Sequence, residues 1–291
     1  MIAWIAGESA AVTLRFLVYL DLLLLAGLSL CSRRTVPVDV PTRVIAALAF
    51  IGAILAVSQF LSTALAMTGG EVAILDAEMF RYLLLETPTG ISSCARFLLL
   101  LIVTLVASRT PWSRWTVPIL AVGALATLAW TGHAGAGEGT VGTVHRASDI
   151  IHLIAASVWL GTLAILLFSL ERAKIGTAEL IVALRQFAVT GTVIVAVLLL
   201  TGLFNLWTII GWDSLAELPR SLYGQVLALK ILLFAAMLVF AALNRWRFTP
   251  RLASASGVDW QRLRMSVLLE TLLAIGVVVA VAIIGILSPS G

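Results

Sequence analysis

The chain holds three histidines, and all of them lie between positions 133 and 152. His133 sits in 130-WTGHAG-135, and His145 and His152 flank Asp149 in 145-HRASDIIHLIAASVWLG-161. His145, Asp149 and His152 are spaced i, i+4, i+7, so a continuous helix puts them on one face. Imidazole and carboxylate together suit copper, zinc or iron. Helical rise limits the set: seven residues advance about 10.5 Å, so His145 and His152 cannot share one metal on an unbroken helix. Asp149–His152 and His145–Asp149 each remain open as part of a site, with His133 swinging in from the glycine-rich 135-GAGEGTVG-142, read as a mobile loop. A ladder of two weak sites leading inward is as consistent as one tight site. The plainer reading is a polar seam that packs helices; against it stands the lack of histidine anywhere else in the chain.

The elements that must carry these residues are transmembrane helices. The chain is 61% hydrophobic and 12% charged, with a mean hydropathy of +1.08. Long runs with few charges, each of about 20 residues, are spans. The expected fold is an all-α, polytopic helix bundle with eight transmembrane helices. The spans run from Ala10 to Leu30, Val44 to Met67, Ser92 to Ala107, Val117 to Trp130, Ala147 to Leu170, Phe187 to Trp207, Tyr223 to Leu243 and Ser266 to Leu287. Residues 1–291 read as a single integral membrane domain with no soluble domain, and the segment 68–90 reads as an amphipathic, partly helical outer loop. No cleavable signal peptide is expected, because the first span carries Arg15 and Asp21. A net charge of +4 does not point to nucleic acid, because the basic residues sit in short loops where they set topology.

Those loops orient the chain. Arg33, Arg34, Arg43, Arg109, Arg114, Arg172, Lys174, Arg185, Arg245, Arg247, Arg251, Arg262 and Arg264 fall on one side, which is thirteen of the 19 basic residues. By the positive-inside rule that side is cytoplasmic, so both termini are periplasmic. The histidine cluster then lies at the outer end of the fifth span. Tryptophans at most span ends support the boundaries; Trp159, well inside the fifth span, is the exception.

Ionisable groups at bilayer depth are costly and therefore functional suspects. They are Arg15, Asp21, Arg96, Asp149, His152, Lys230 and Glu270. The bland reading has Arg96 and Lys230 snorkelling to the outer interface, and Glu270 and Asp21 paired structurally. Met67, Met79 and Cys94 are soft-ligand candidates on the outer side, and sulfur would favour Cu(I); lone sulfurs near span ends more often pack. Cys31 and Cys94 lie near opposite ends of spans, so no disulfide is expected between them.

The string Gly132-His133-Ala134, then Asp149-x-x-His152, then Trp159-Leu160-Gly161 resembles the CopD family of copper-resistance membrane proteins. Further on, Thr201-Gly202-x-x-Asn205, Tyr223-Gly224-x-x-Leu227-x-x-Lys230, Asn244-Arg245 and Glu270 are similar to that family's pattern. Thr162 departs from it, where a second glycine is expected after Gly161. The resemblance implies a bacterial cytoplasmic (inner) membrane protein that handles copper, described as uptake from the periplasm, with a separate periplasmic copper-binding partner of the CopC type. On that reading copper is captured by His133, Asp149 and His152 with His145 at the entrance, and Glu270, Asp21 and Asn205 are way stations inward. The protein is then a transporter or metal-handling protein and not an enzyme. No P-loop for an ATPase is visible. The alternatives are a b-type haem electron-transfer bundle, with His133 and His152 as axial ligands, and a non-transporting assembly factor for copper enzymes.

Overall fold

The computed structural model describes residues 2–31, 40–69, 75–109, 115–131, 137, 139–172, 177–211, 218–251 and 257–288. It is helical throughout these segments. In chain order the helices are α1 (Ile2–Cys31), α2 (Thr42–Met67), α3 (Ala77–Leu85), α4 (Pro88–Arg109), α5 (Thr116–Ala126), α6 (Gly139–Arg172), α7 (Thr177–Ile210), α8 (Leu222–Leu243), α9 (Thr249–Arg251) and α10 (Gly257–Ile284). Seven of them are long and apolar enough to cross a membrane.

The fourth expected span, Val117 to Trp130, is present as a helical segment at Thr116–Trp130, too short to stand among those seven. α5 is α-helical only to Ala126 and finishes as a 3₁₀ turn, Thr127–Trp130. One face, Val117, Pro118, Ala121, Ala124, Leu125 and Leu128, is buried against other helices, while Ile119 and Trp130 are exposed. The expected outer loop 68–90 is partly helical, as its amphipathic pattern indicated. Asp76 starts α3 by accepting a 2.8 Å bond from the Met79 amide, which satisfies one of the helix's free N–H groups. Thr87 and Ser221 cap α4 and α8 in the same way, each at 3.0 Å.

α6 begins at Gly139 and not near Ala147. Gly139 takes φ 63°, which only glycine adopts readily, and the helix runs on from there. The second half of the glycine-rich stretch is therefore helix. His145 sits a turn and a half inside α6 and is buried, only 5% exposed.

The core is organised around α1, which packs on α6, α2, α5 and α10. The α1–α6 crossing is made by two glycines: a Cβ on Gly27 would overlap the Ser157 carbonyl, and one on Gly161 would overlap the Gly27 backbone. Small residues permit this backbone-to-backbone approach where lipid supplies no hydrophobic drive between helices. Thr162 completes the crossing: its Oγ1 donates to the Val158 carbonyl at 2.8 Å and lies 3.4 Å from Cys31 Sγ. Both cysteines are free thiols.

The C-terminal half is looser. α7 packs on α6, and α8 packs on α10. Among the described residues α7 and α8 make no substantial contact with each other. The space between them holds two cavities.

Candidate functional site

The polar site begins in the N-terminal half of α6. α6 and α7 run antiparallel, so the pair Asp149 and His152 meets Asn205 and Thr201 in reverse order. The His152 Nδ1 and Thr201 Oγ1 are 2.9 Å apart. Thr201 Oγ1 itself donates to the Val197 carbonyl at 2.6 Å; with its one proton committed there, it accepts from an Nδ1–H. That choice leaves Nε2 as the lone-pair nitrogen of a neutral ring. Asn205 Nδ2 donates to Asp149 Oδ1 at 3.4 Å, a long bond. Gly202 of α7 faces the His152 ring with room for a Cβ between them.

Lys230 approaches from α8. Its ammonium lies within electrostatic reach of both Asp149 and His152. Arg15 of α1 also acts on Asp149. The carboxylate therefore already has cationic neighbours, which offset its burial cost.

Below this cluster lies a cavity of about 260 Å³, lined by His152, Trp159, Leu203, Lys230, Phe234 and Val278 among others. Apart from His152 and Lys230 its wall is almost entirely apolar. A second cavity of about 320 Å³ lies on the other side of Trp159, lined by Trp159, Thr192, Asn244, Arg245, Thr249 and Glu270 among others. The Trp159 indole is shared by both cavities. It is held edge-to-face on Phe187, with ring centroids 5.8 Å apart.

The structure distributes the remaining candidates. His133 lies outside the described residues. His145 is buried one turn nearer the start of α6 than Asp149. Among the described residues no three His, Cys, Asp or Glu side chains come together as a metal-binding group. Asp21 is only 6% exposed and presses against Gly52, between α1 and α2; it lines neither cavity. Glu270 is 1% exposed and accepts 2.9 Å from Asn244 Nδ2. Met67 and Met79 are exposed and Cys94 is half-buried, and none of the three lines either cavity.

One reading of the cations at bilayer depth changes. Arg96 does not snorkel. It is 1% exposed, with Nε donating to Thr127 Oγ1 and Nη1 to Gln59 Oε1, both at 2.8 Å. Its fork ties α4 to α2 and to the end of the short α5 segment, so it is a structural clamp. Lys230 is half-buried and lines the first cavity. Sequence reasoning missed Asn244 as a cavity-lining group and Trp159 as a partition. The available signal was a tryptophan at bilayer depth, away from the interfacial belts where tryptophan usually collects.

These features define a multi-pass membrane protein with a polar site and two cavities enclosed by its C-terminal helices. Comparison with known proteins gives the family. Residues 1–143 match the model of the copper resistance protein D-like N-terminal domain, and residues 181–284 match that of copper resistance protein D. The chain is 33% identical to Copper resistance protein D of Pseudomonas syringae pv. tomato, over 97% of each chain. It is 34% identical over 187 residues to Copper transport protein CutJ of Bacillus subtilis (strain 168), covering 60% of this chain and 34% of that one. It is 33% identical over 126 residues to Inner membrane protein YebZ of Escherichia coli (strain K12), covering 43% of this chain and 42% of that one. No solved structure matches. The chain belongs to the copper resistance protein D family, so it is a copper-related membrane protein. Asp149 and His152 fall between the two matched segments.

Proposed function

We propose that this chain is a copper permease of the bacterial inner membrane that takes copper from the periplasm toward the cytoplasm. The observation that carries the reading is the Asp149–His152 pair at the outer end of α6, with Thr201 and Asn205 of α7 orienting it. Thr201 turns His152 so that Nε2 offers its lone pair, and an oriented imidazole beside a carboxylate is a fitting pair of donors for copper. Two donors are too few for a tight site. His133, which follows the fourth expected span in the sequence, is the third ligand in this proposal, and His145 stands at the entrance. A periplasmic copper-binding protein of the CopC type delivers the ion. The outer cavity has an apolar wall, so copper moves inward bound to side chains and not as a hydrated ion. Asp21, packed against Gly52, lies off this route.

The test is copper accumulation in cells expressing His152→Ala against wild type at equal membrane abundance. Loss of accumulation is expected, and unchanged accumulation would remove His152 as a required ligand. Purified protein that binds copper but passes none in proteoliposomes would support the assembly-factor reading instead.

One observation favours a b-type haem as a second reading: His152 lines an apolar cavity, the kind of environment in which a membrane haem is held. The fit is incomplete, because the described lining supplies one imidazole where such a haem commonly takes two. An absorption spectrum of the purified protein separates the readings by the presence or absence of a Soret band.

A further inference from the structure

The inner cavity contains chemistry that copper capture does not use. Glu270 is one of the most deeply buried charged side chains, 1% exposed, on an otherwise apolar stretch of α10. Its Oε2 takes the Asn244 amide proton, but its Oε1 has no hydrogen-bond partner. Asn244 Oδ1 is likewise buried and unpartnered. The Trp159 indole lies beside the Glu270 carboxyl without making a hydrogen bond by its Nε1. All three residues line the cavity of about 320 Å³.

The backbone is shaped to place Asn244 there. α8 does not end at Leu243 but widens into a π-helical turn, Asn244–Phe248. Such turns are rare and concentrate at functional sites. Thr249 Oγ1 holds the turn by donating to the Asn244 carbonyl at 2.7 Å. At the same cavity Arg245 reaches across to α7, where Nη1 donates to Thr192 Oγ1 at 2.6 Å. This bond bridges the α7–α8 gap.

Donor chemistry selects the ligand. The free atoms are a carboxylate oxygen and an amide oxygen, which are hard donors; among the described residues no imidazole or thiol lines this cavity. Among the described residues the charged groups in its lining are Glu270, which is buried, and Arg245, which is exposed and tied to Thr192, so its charge is screened from the carboxylate. One carboxylate in a low-dielectric interior is neutralised by one positive charge, whereas a divalent ion would leave an excess charge buried. We propose that Glu270 and Asn244 form an inner site for a single monovalent cation, a proton or Na⁺, separate from the outer copper ligands. Trp159 partitions it from the outer cavity and the Arg245–Thr192 bond spans its α7–α8 side. Its use for coupling copper movement to an ion gradient rests on the permease reading; the site itself does not.

The test is infrared difference spectroscopy on the full chain in lipid vesicles without copper. One arm exchanges Na⁺ for K⁺ at fixed pH, and the other changes pH without Na⁺. A carboxylic-acid C=O band that appears or vanishes in wild type, persists in His152→Ala and is absent in Glu270→Gln is expected. A response in the first arm identifies Na⁺, and a response confined to the second identifies the proton. Identical spectra for wild type and Glu270→Gln in both arms would overturn the site. Asn244→Ala keeps the carboxyl and serves if Glu270→Gln does not fold; it is expected to weaken binding of the responding cation about tenfold, and an unchanged response overturns the two-residue site. Copper titration separates the two ideas. Glu270→Gln is expected to bind copper as wild type does, and a lost copper isotherm would make Glu270 a copper ligand and sink the inference.

Discussion

Asp149 is the residue on which the outer site turns, because it has two kinds of suitor. Lys230 already lies within its electrostatic reach, and a captured copper ion would compete for the same carboxylate. Through-space attraction between opposite charges at a partly buried site is worth about 1–4 kcal/mol. Lys230→Met removes the resident cation, so copper binding is expected to tighten by about tenfold. A chelator-competition titration measures this, and weaker binding would show that Lys230 supports the site instead of competing. Thr201→Val removes the partner of His152 Nδ1 and costs about 0.5–1.5 kcal/mol of orientation, read as several-fold weaker copper binding in the same titration.

At the scale of elements, the α1–α6 crossing decides where Asp149 and His152 stand. Gly161 touches the Gly27 backbone, so any side chain there must push the two helices apart. Gly161→Val is expected to destabilise the protein by about 1–3 kcal/mol or more, visible as a lower unfolding temperature in detergent. Gly191 on α7 is the contrast, since a Cβ there meets nothing within 4 Å. Gly191→Ala is expected to leave stability unchanged or to raise it by about 0.5–1 kcal/mol, as glycine in a helix interior is mildly unfavourable. If both variants unfold alike, close approach is not what holds α6 in place.

The whole molecule is asymmetric. α1, α2, α4, α5 and α6 form a tight block, whereas α7 leans on α6 and α8 leans on α10, leaving two cavities between them. Trp159, anchored on α6, is the side chain that keeps those cavities apart. Trp159→Ala joins them and is expected to speed copper passage in proteoliposomes while copper affinity at the outer site stays unchanged. The same change costs about 3–5 kcal/mol of packing, so Trp159→Phe serves as the folded control. Equal flux in wild type and in a folded Trp159→Ala protein would mean that the indole is no barrier.

Helical class, span positions and the shared face of His145, Asp149 and His152 were legible in the sequence, because hydropathy and the helical repeat are local properties. The family was legible too, through short strings such as Asp149-x-x-His152 and Asn244-Arg245. The role of Gly161 as a packing residue was also readable, since a glycine in an apolar helix usually marks close approach. What the sequence could not determine was which polar group faces which. Arg96 reads as a snorkelling cation, but its partners Gln59 and Thr127 come from two other helices. Asp21 and Glu270 look alike as lone acids in apolar spans; one packs against a glycine and the other opens into a cavity. Such pairings depend on the rotation and crossing of helices far apart in the chain, and only the tertiary structure sets those, because lipid-facing and core-facing residues are equally apolar and leave no amphipathic stripe to read.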